Sequence, residues 1–150
     1  MKTLVMILGL CLSMPVCAHD EGHGPKLTDT AKQGGLLASV VDAKEIKLGP
    51  KAAGLYKAEL VRMEDSAVWV FLYDNDMEPL SLEGVSKKAK AVVIAFKKGK
   101  EIKKGFTLTL DKEEEAFIGT APKVKRKPYN IDVTFKIGKK KLFAAFDNLD

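Results

Sequence analysis

The chain has 150 residues with 25 lysines and arginines, 20 aspartates and glutamates, a net charge of +5, two histidines and two cysteines. This length suits one domain, and so few histidines and cysteines leave no imidazole base or thiol nucleophile in the body of the chain, which speaks against an enzyme. Arg62 and Arg126 are the only arginines among many lysines; lysine suits diffuse attraction to anions better than bidentate phosphate reading, so nucleic acid is not an expected partner.

Met1 to Ala18 opens on Lys2, continues through the apolar run Leu4 to Leu12 and closes on Pro15-Val16-Cys17-Ala18. A basic start, a short apolar centre and a small-residue end predict a secretory signal peptide over 1–18, cut after Ala18. The run is far shorter than the ~20 residues that span a bilayer. Cleavage removes Cys11 and Cys17, so the mature chain carries no disulfide and is expected in the periplasm or outside the cell, with no transmembrane segment. Met14-Pro15-Val16 lacks the small residues that precede a lipidated cysteine, which argues against an anchor on Cys17. Residues 19–34 hold one sizeable aliphatic side chain, Leu27, and are expected to form a flexible leader.

A β domain is predicted over 35–150. Leu36 to Val41 reads as a strand opened by Gly34-Gly35, and Gly49-Pro50 interrupts any helix between Ala43 and Gly54. Tyr56, Ala58 and Leu60 alternate with Lys57 and Glu59, a half-buried strand. Val68-Trp69-Val70-Phe71-Leu72-Tyr73 is apolar on both faces and predicts a central strand with all three aromatics in or near the core. Asp74-Asn75-Asp76 begins a turn and Pro79 keeps the following segment out of a central strand. Ala91 to Phe96, the alternating Phe106, Leu108 and Leu110, Ala116 to Thr120, Tyr129 to Ile137 and Leu142 to Phe146 complete the pattern. Turn signals every 8–12 residues predict an antiparallel immunoglobulin-like β-sandwich of seven or eight strands, in preference to a closed barrel.

Two candidate sites follow. A mature terminus at His19 places an amine and an imidazole on one residue, with His23 four positions on; nitrogen donors of this kind suit copper, nickel or zinc. Second, antiparallel parity puts the hairpin tip with Lys97, Lys98, Lys100, Lys103 and Lys104 at the same end as Lys123, Lys125, Arg126 and Lys127. The acidic turn Asp111 to Glu115 then falls at the opposite end beside Lys139, Lys140 and Lys141, giving one basic pole for an anionic surface or protein partner. Lysines on turns also discourage edge-to-edge pairing of strands, a purely structural role. Asp74 to Glu78 lacks the glycine and glutamate of a calcium loop, with Pro79 and Val85 at those positions. Met63 and Met77 flank separate turns and read as gap-fillers.

His19-x3-His23, Gly34-Gly35, Tyr56-Lys57-Ala58-Glu59-Leu60, Val68 to Asp74 and Glu78-Pro79-Leu80 together resemble small exported β-sandwich proteins of bacterial heavy-metal handling and efflux systems. The resemblance implies a non-catalytic periplasmic protein that binds metal through His19 and His23. The alternative is an envelope interaction module that uses the basic pole and no metal. A terminal histidine on a β domain is also similar to the histidine brace of lytic polysaccharide monooxygenases, but that brace needs a second histidine on the folded body and none follows His23.

Overall fold

The computed structural model describes residues 24–150. Eight antiparallel strands close into one barrel: β1 (Leu36–Asp42), β2 (Tyr56–Arg62), β3 (Ala67–Tyr73), β4 (Lys88–Lys97), β5 (Lys100–Asp111), β6 (Ala116–Thr120), β7 (Tyr129–Ile137) and β8 (Lys140–Leu149). Their order around the wall is β1-β2-β3-β6-β5-β4-β7-β8, and β8 returns to β1 through Val40↔Ala144, Val41↔Phe143 and Asp42↔Leu142. Short 3₁₀ turns at Ile46–Lys51 and Glu64–Ser66 are the helical elements among the described residues.

The all-β, antiparallel expectation stands; the immunoglobulin-like sandwich does not, because the sheet closes on itself. The reason is that alternation specifies an inner and an outer face, which a sandwich and a barrel share. Closure depends on pairing β1 with β8 and β3 with β6, contacts between segments far apart in the chain.

Inward positions fill the barrel. Leu60, Val70, Leu108, Phe117, Ile131, Leu142 and Phe146 are fully buried, and the Phe117 and Phe135 rings meet at 5.6 Å. Among the described residues the interior is therefore lined and filled by one contiguous apolar core. On β3 it is Val68, Val70 and Leu72 that point inward. Trp69 and Phe71 lie half-buried on the outer face with their rings 6.1 Å apart, so the expectation of three core aromatics is met only at Tyr73, which is buried, and there from the outside.

Two crossovers cap the ends. Residues 74–87 carry the chain from β3 to β4 past β6 and β5, seating Met77 and Val85 in buried positions with Leu80 and Leu82 packed on the core. Residues 121–128 carry it from β6 to β7 past β5 and β4 at the other end, where Ala121 and Val124 pack on the core. Met77 thus fills a gap as expected, whereas Met63 is exposed on the β2–β3 turn.

Residues 24–34 form no strand or helix, yet they are fastened along the outer wall of β1, β2 and β3. Ser39 donates its hydroxyl proton to the Pro25 carbonyl at 2.6 Å. Lys57 pairs with Asp29 at 2.8 Å and donates to the Asn75 carbonyl at 2.7 Å. Side-chain composition made this segment read as a free leader; the polar residues that hold it lie on strands more than ten positions further along.

Candidate functional site

The β4–β5 hairpin overruns the barrel. Its two strands pair from Lys88↔Thr109 to Lys97↔Lys100, but β7 leaves β4 after Ile94↔Asn130 and β6 leaves β5 beyond Thr109↔Ile118. From Ala95 to Ile102 the strand ladder therefore joins only the two arms of the hairpin. Lys98 and Gly99 make the tip, both with positive φ (51° and 75°), the backbone of a tight two-residue turn. Gly119 of β6 still packs on the backbone of Thr107 and Leu108, and past that point residues 123–126 of the crossover face the inner side of the hairpin.

Register decides which side chains meet there. Directly opposed residues of an antiparallel pair share a face. Ile102 is opposite Ala95, and Lys104 is opposite Val93, so these residues lie on the inner face of the hairpin. They line a cavity of about 290 Å³ together with Lys97, Lys123, Val124, Lys125 and Arg126. Val93 and Ala95 are only 2% and 8% exposed, so the floor is continuous with the barrel core. Five of the nine lining residues are cations and none is acidic. Among the described residues none of these five forms an ion pair.

The structure thus brings Lys97, Lys104, Lys123, Lys125 and Arg126 to one cavity. Lys103 is separated from them: it sits opposite Ile94 on the outer face and pairs with Glu101 at 3.0 Å. Lys98 and Lys100 are at the hairpin tip, and Lys127 lies on the crossover beyond the lining residues. Phe96, on the outer face of the same hairpin, is 53% exposed. The turn 112–115 between β5 and β6 and the turn 138–139 between β7 and β8 fall at the far end. The strands after β4 form no simple meander, since β7 joins the free side of β4; the ends still fall as expected because every neighbour is antiparallel.

The rim is not basic all round. The β2–β3 turn places Glu64 and Asp65 at this same end, and Arg62 donates to the Tyr129 hydroxyl at 2.9 Å and to the Asp150 carbonyl. Positive charge gathers on the side formed by the hairpin and the crossover.

A second, wider groove of about 600 Å³ runs between residues 24–31 and the outer face of β1 and β8. Its charged lining includes Lys26 with Asp29 and Asp147, and Asp29 is already paired with Lys57, so it offers no single sign of charge to a ligand.

Glu59 is a polar group that alternation alone places in solvent. It sits on the outer face of β2 between Leu37 and Phe71, and it has no exposed surface because residues 31–35 cross over it. Its carboxylate accepts the backbone N–H of Gln33 and Gly35 on Oε1, both at 2.8 Å, and that of Lys32 on Oε2 at 3.0 Å. Tyr73 donates its hydroxyl proton to Oε2 at 3.0 Å. Burial, then the hydrogen bond and charge of Glu59, push the Tyr73 phenol up to about 12. The Gly34-Gly35 pair is what lets the chain wrap this carboxylate: Gly34 has φ +72°, and a Cβ on Gly35 would stand 2.3 Å from the Leu60 carbonyl oxygen. That glycine pair, followed by a glutamate in a strand, was the only trace of the arrangement in the sequence.

His19 and His23, the cysteines and the signal segment lie outside the described residues, and among the described residues no three His, Cys, Asp or Glu side chains group as metal ligands. Among them too, no helix is long and apolar enough to cross a membrane. No family model, curated protein or solved structure matches the chain, so no relative bears on the likeness to heavy-metal-handling proteins.

Proposed function

We propose that this barrel is an exported, non-catalytic binding module that docks on an anionic envelope surface through its basic rim. The observation that carries this reading is the overrunning β4–β5 hairpin, which projects Lys97, Lys98, Lys100 and Lys103 around a half-exposed Phe96 and stands beside the crossover cations Lys123, Lys125, Arg126 and Lys127. Lysines near an anionic bilayer contribute about 1 kcal/mol each, and an exposed aromatic ring adds an apolar contact at the headgroup level.

Sedimentation with phosphatidylglycerol-containing vesicles tests it. Adsorption is expected to fall as salt rises and to drop on the order of 100-fold when Lys98, Lys100 and Lys103 are all changed to glutamine. Equal adsorption to pure phosphatidylcholine vesicles would overturn the reading. The copper, nickel or zinc proposal stands on His19 and His23 alone; titration of the mature protein beside His19→Ala/His23→Ala decides it, equal binding removing those residues as ligands.

A further inference from the structure

We infer that the cavity between the overrunning hairpin and the crossover is a binding site for a monomeric single-chain anionic amphiphile, a carboxylate head carrying one hydrocarbon tail. The inference rests on the preference of the rim for anions proposed above and adds a defined pocket to it.

Two chemistries meet in this cavity in a fixed order. Its floor is apolar: Val93 and Ala95 on β4, Ile102 on β5 and Val124 on the crossover. Its wall and entrance are cationic, with Lys104 carried on the inner hairpin face directly opposite Val93 and with Lys97, Lys123, Lys125 and Arg126 around it. A floor of this kind disfavours a bare, strongly hydrated ion, and five like charges repel a cationic tail-bearing molecule and give a neutral one no charge partner. A molecule with a tail for the floor and a negative head for the wall satisfies both. Lysine and arginine also lay their aliphatic stems along such a tail while keeping the charge at its head.

Size selects the class further. About 290 Å³ is at the small end of ligand pockets, which run from ~300 to ~1,000 Å³, and it fits one modest chain better than a two-chain lipid. The cavity lies where the hairpin overruns its neighbours, between the inner face of Val93, Ala95, Ile102 and Lys104 and the crossover residues 123–126. Repulsion among the five cations, none ion-paired among the described residues, is relieved by an anionic head, which gives the occupied state its advantage.

Calorimetry with the purified protein tests the site, using decanoate below its micelle concentration, acetate and decyltrimethylammonium as probes. Saturable one-to-one binding of decanoate is expected, at least tenfold tighter than either of the others. Ile102→Asn, at a partly exposed position, is expected to weaken decanoate at least tenfold while leaving adsorption to phosphatidylglycerol vesicles within twofold. Circular dichroism and a second variant, Lys104→Gln, guard against an unfolded Ile102→Asn protein, since Lys104→Gln should also weaken decanoate. Equal binding of acetate and decanoate, or no effect of Ile102→Asn in a folded protein, overturns the pocket and leaves surface docking intact. Equal binding of decyltrimethylammonium and decanoate overturns the anionic preference and with it both proposals.

Discussion

Changing Glu59 to alanine takes the acceptor from three part-buried backbone N–H groups and from the buried Tyr73 hydroxyl. Each buried polar group left unpaired costs about 1–3 kcal/mol, so urea unfolding of Glu59→Ala should show a loss of at least about 3 kcal/mol, with residues 24–35 becoming open to protease. Glu59→Gln keeps one acceptor oxygen for Gln33 and Gly35 and should lose less. The same glutamine removes a negative charge beside Tyr73, so the phenol should ionise below its present value of about 12 yet stay above an ordinary tyrosine, because burial is the larger cause. The sign of the pH dependence follows. An unfolded tyrosine ionises near ~10, whereas folded Tyr73 holds its proton to about 12. Its contribution to stability is complete below pH ~10 and disappears as pH climbs through the folded value. Tyr73→Phe should therefore flatten that part of the alkaline unfolding curve relative to the parent protein.

Among the elements, the β4–β5 hairpin carries an unfavourable residue at its tip. Lys98 sits at φ 51°, where a side chain with Cβ costs roughly 1–2 kcal/mol and asparagine is the better-tolerated choice before glycine. Lys98→Asn should raise stability by about 1 kcal/mol in urea and, by removing one rim cation, weaken vesicle adsorption by roughly fivefold. The elements were legible where the pattern was strong: β2 and β7 fall where period-two alternation places them, and β3 where the run apolar on both faces does. The first half of β5 was not, because Lys100-Glu101-Ile102-Lys103-Lys104 offers one apolar residue in five and is held as strand only by the ladder to β4. Gly119, in β6, was equally silent in sequence; a Cβ there would stand 2.5 Å from the Thr107 carbonyl oxygen and 2.8 Å from a Leu108 methyl. Gly119→Ala should cost about 1–3 kcal/mol by forcing β6 away from β5.

At the scale of the molecule, charge placement was legible and its setting was not. Counting strands in alternating directions is enough to send the hairpin lysines and the 123–127 cluster to one end. It says nothing of Glu64 and Asp65 on the same rim, of the apolar floor beneath the cations, or of closure, since each depends on which distant strands become neighbours. Glu59 escaped for a related reason: alternation places it outside correctly, but only a segment returning over the wall makes the outside dry. A lopsided rim also predicts oriented adsorption. Replacing Glu64 and Asp65 by their amides should strengthen binding to phosphatidylglycerol vesicles and steepen its salt dependence, because the rim then loses its opposing charge.

The barrel wall is uneven in how it is stitched. Ten residue pairs join β4 to β5, while three, Thr109↔Ile118, Leu110↔Phe117 and Asp111↔Ala116, join β5 to β6. Local opening breaks fewer backbone links at that second joint, and at the equally short joint of β1 with β8, than along β4, so amide hydrogens of β6 that face β5 should exchange with deuterium ahead of those shared by β4 and β7. The cylinder would then breathe along two short joints while the long ladder of β4 with β5, which carries the cavity floor, stays closed.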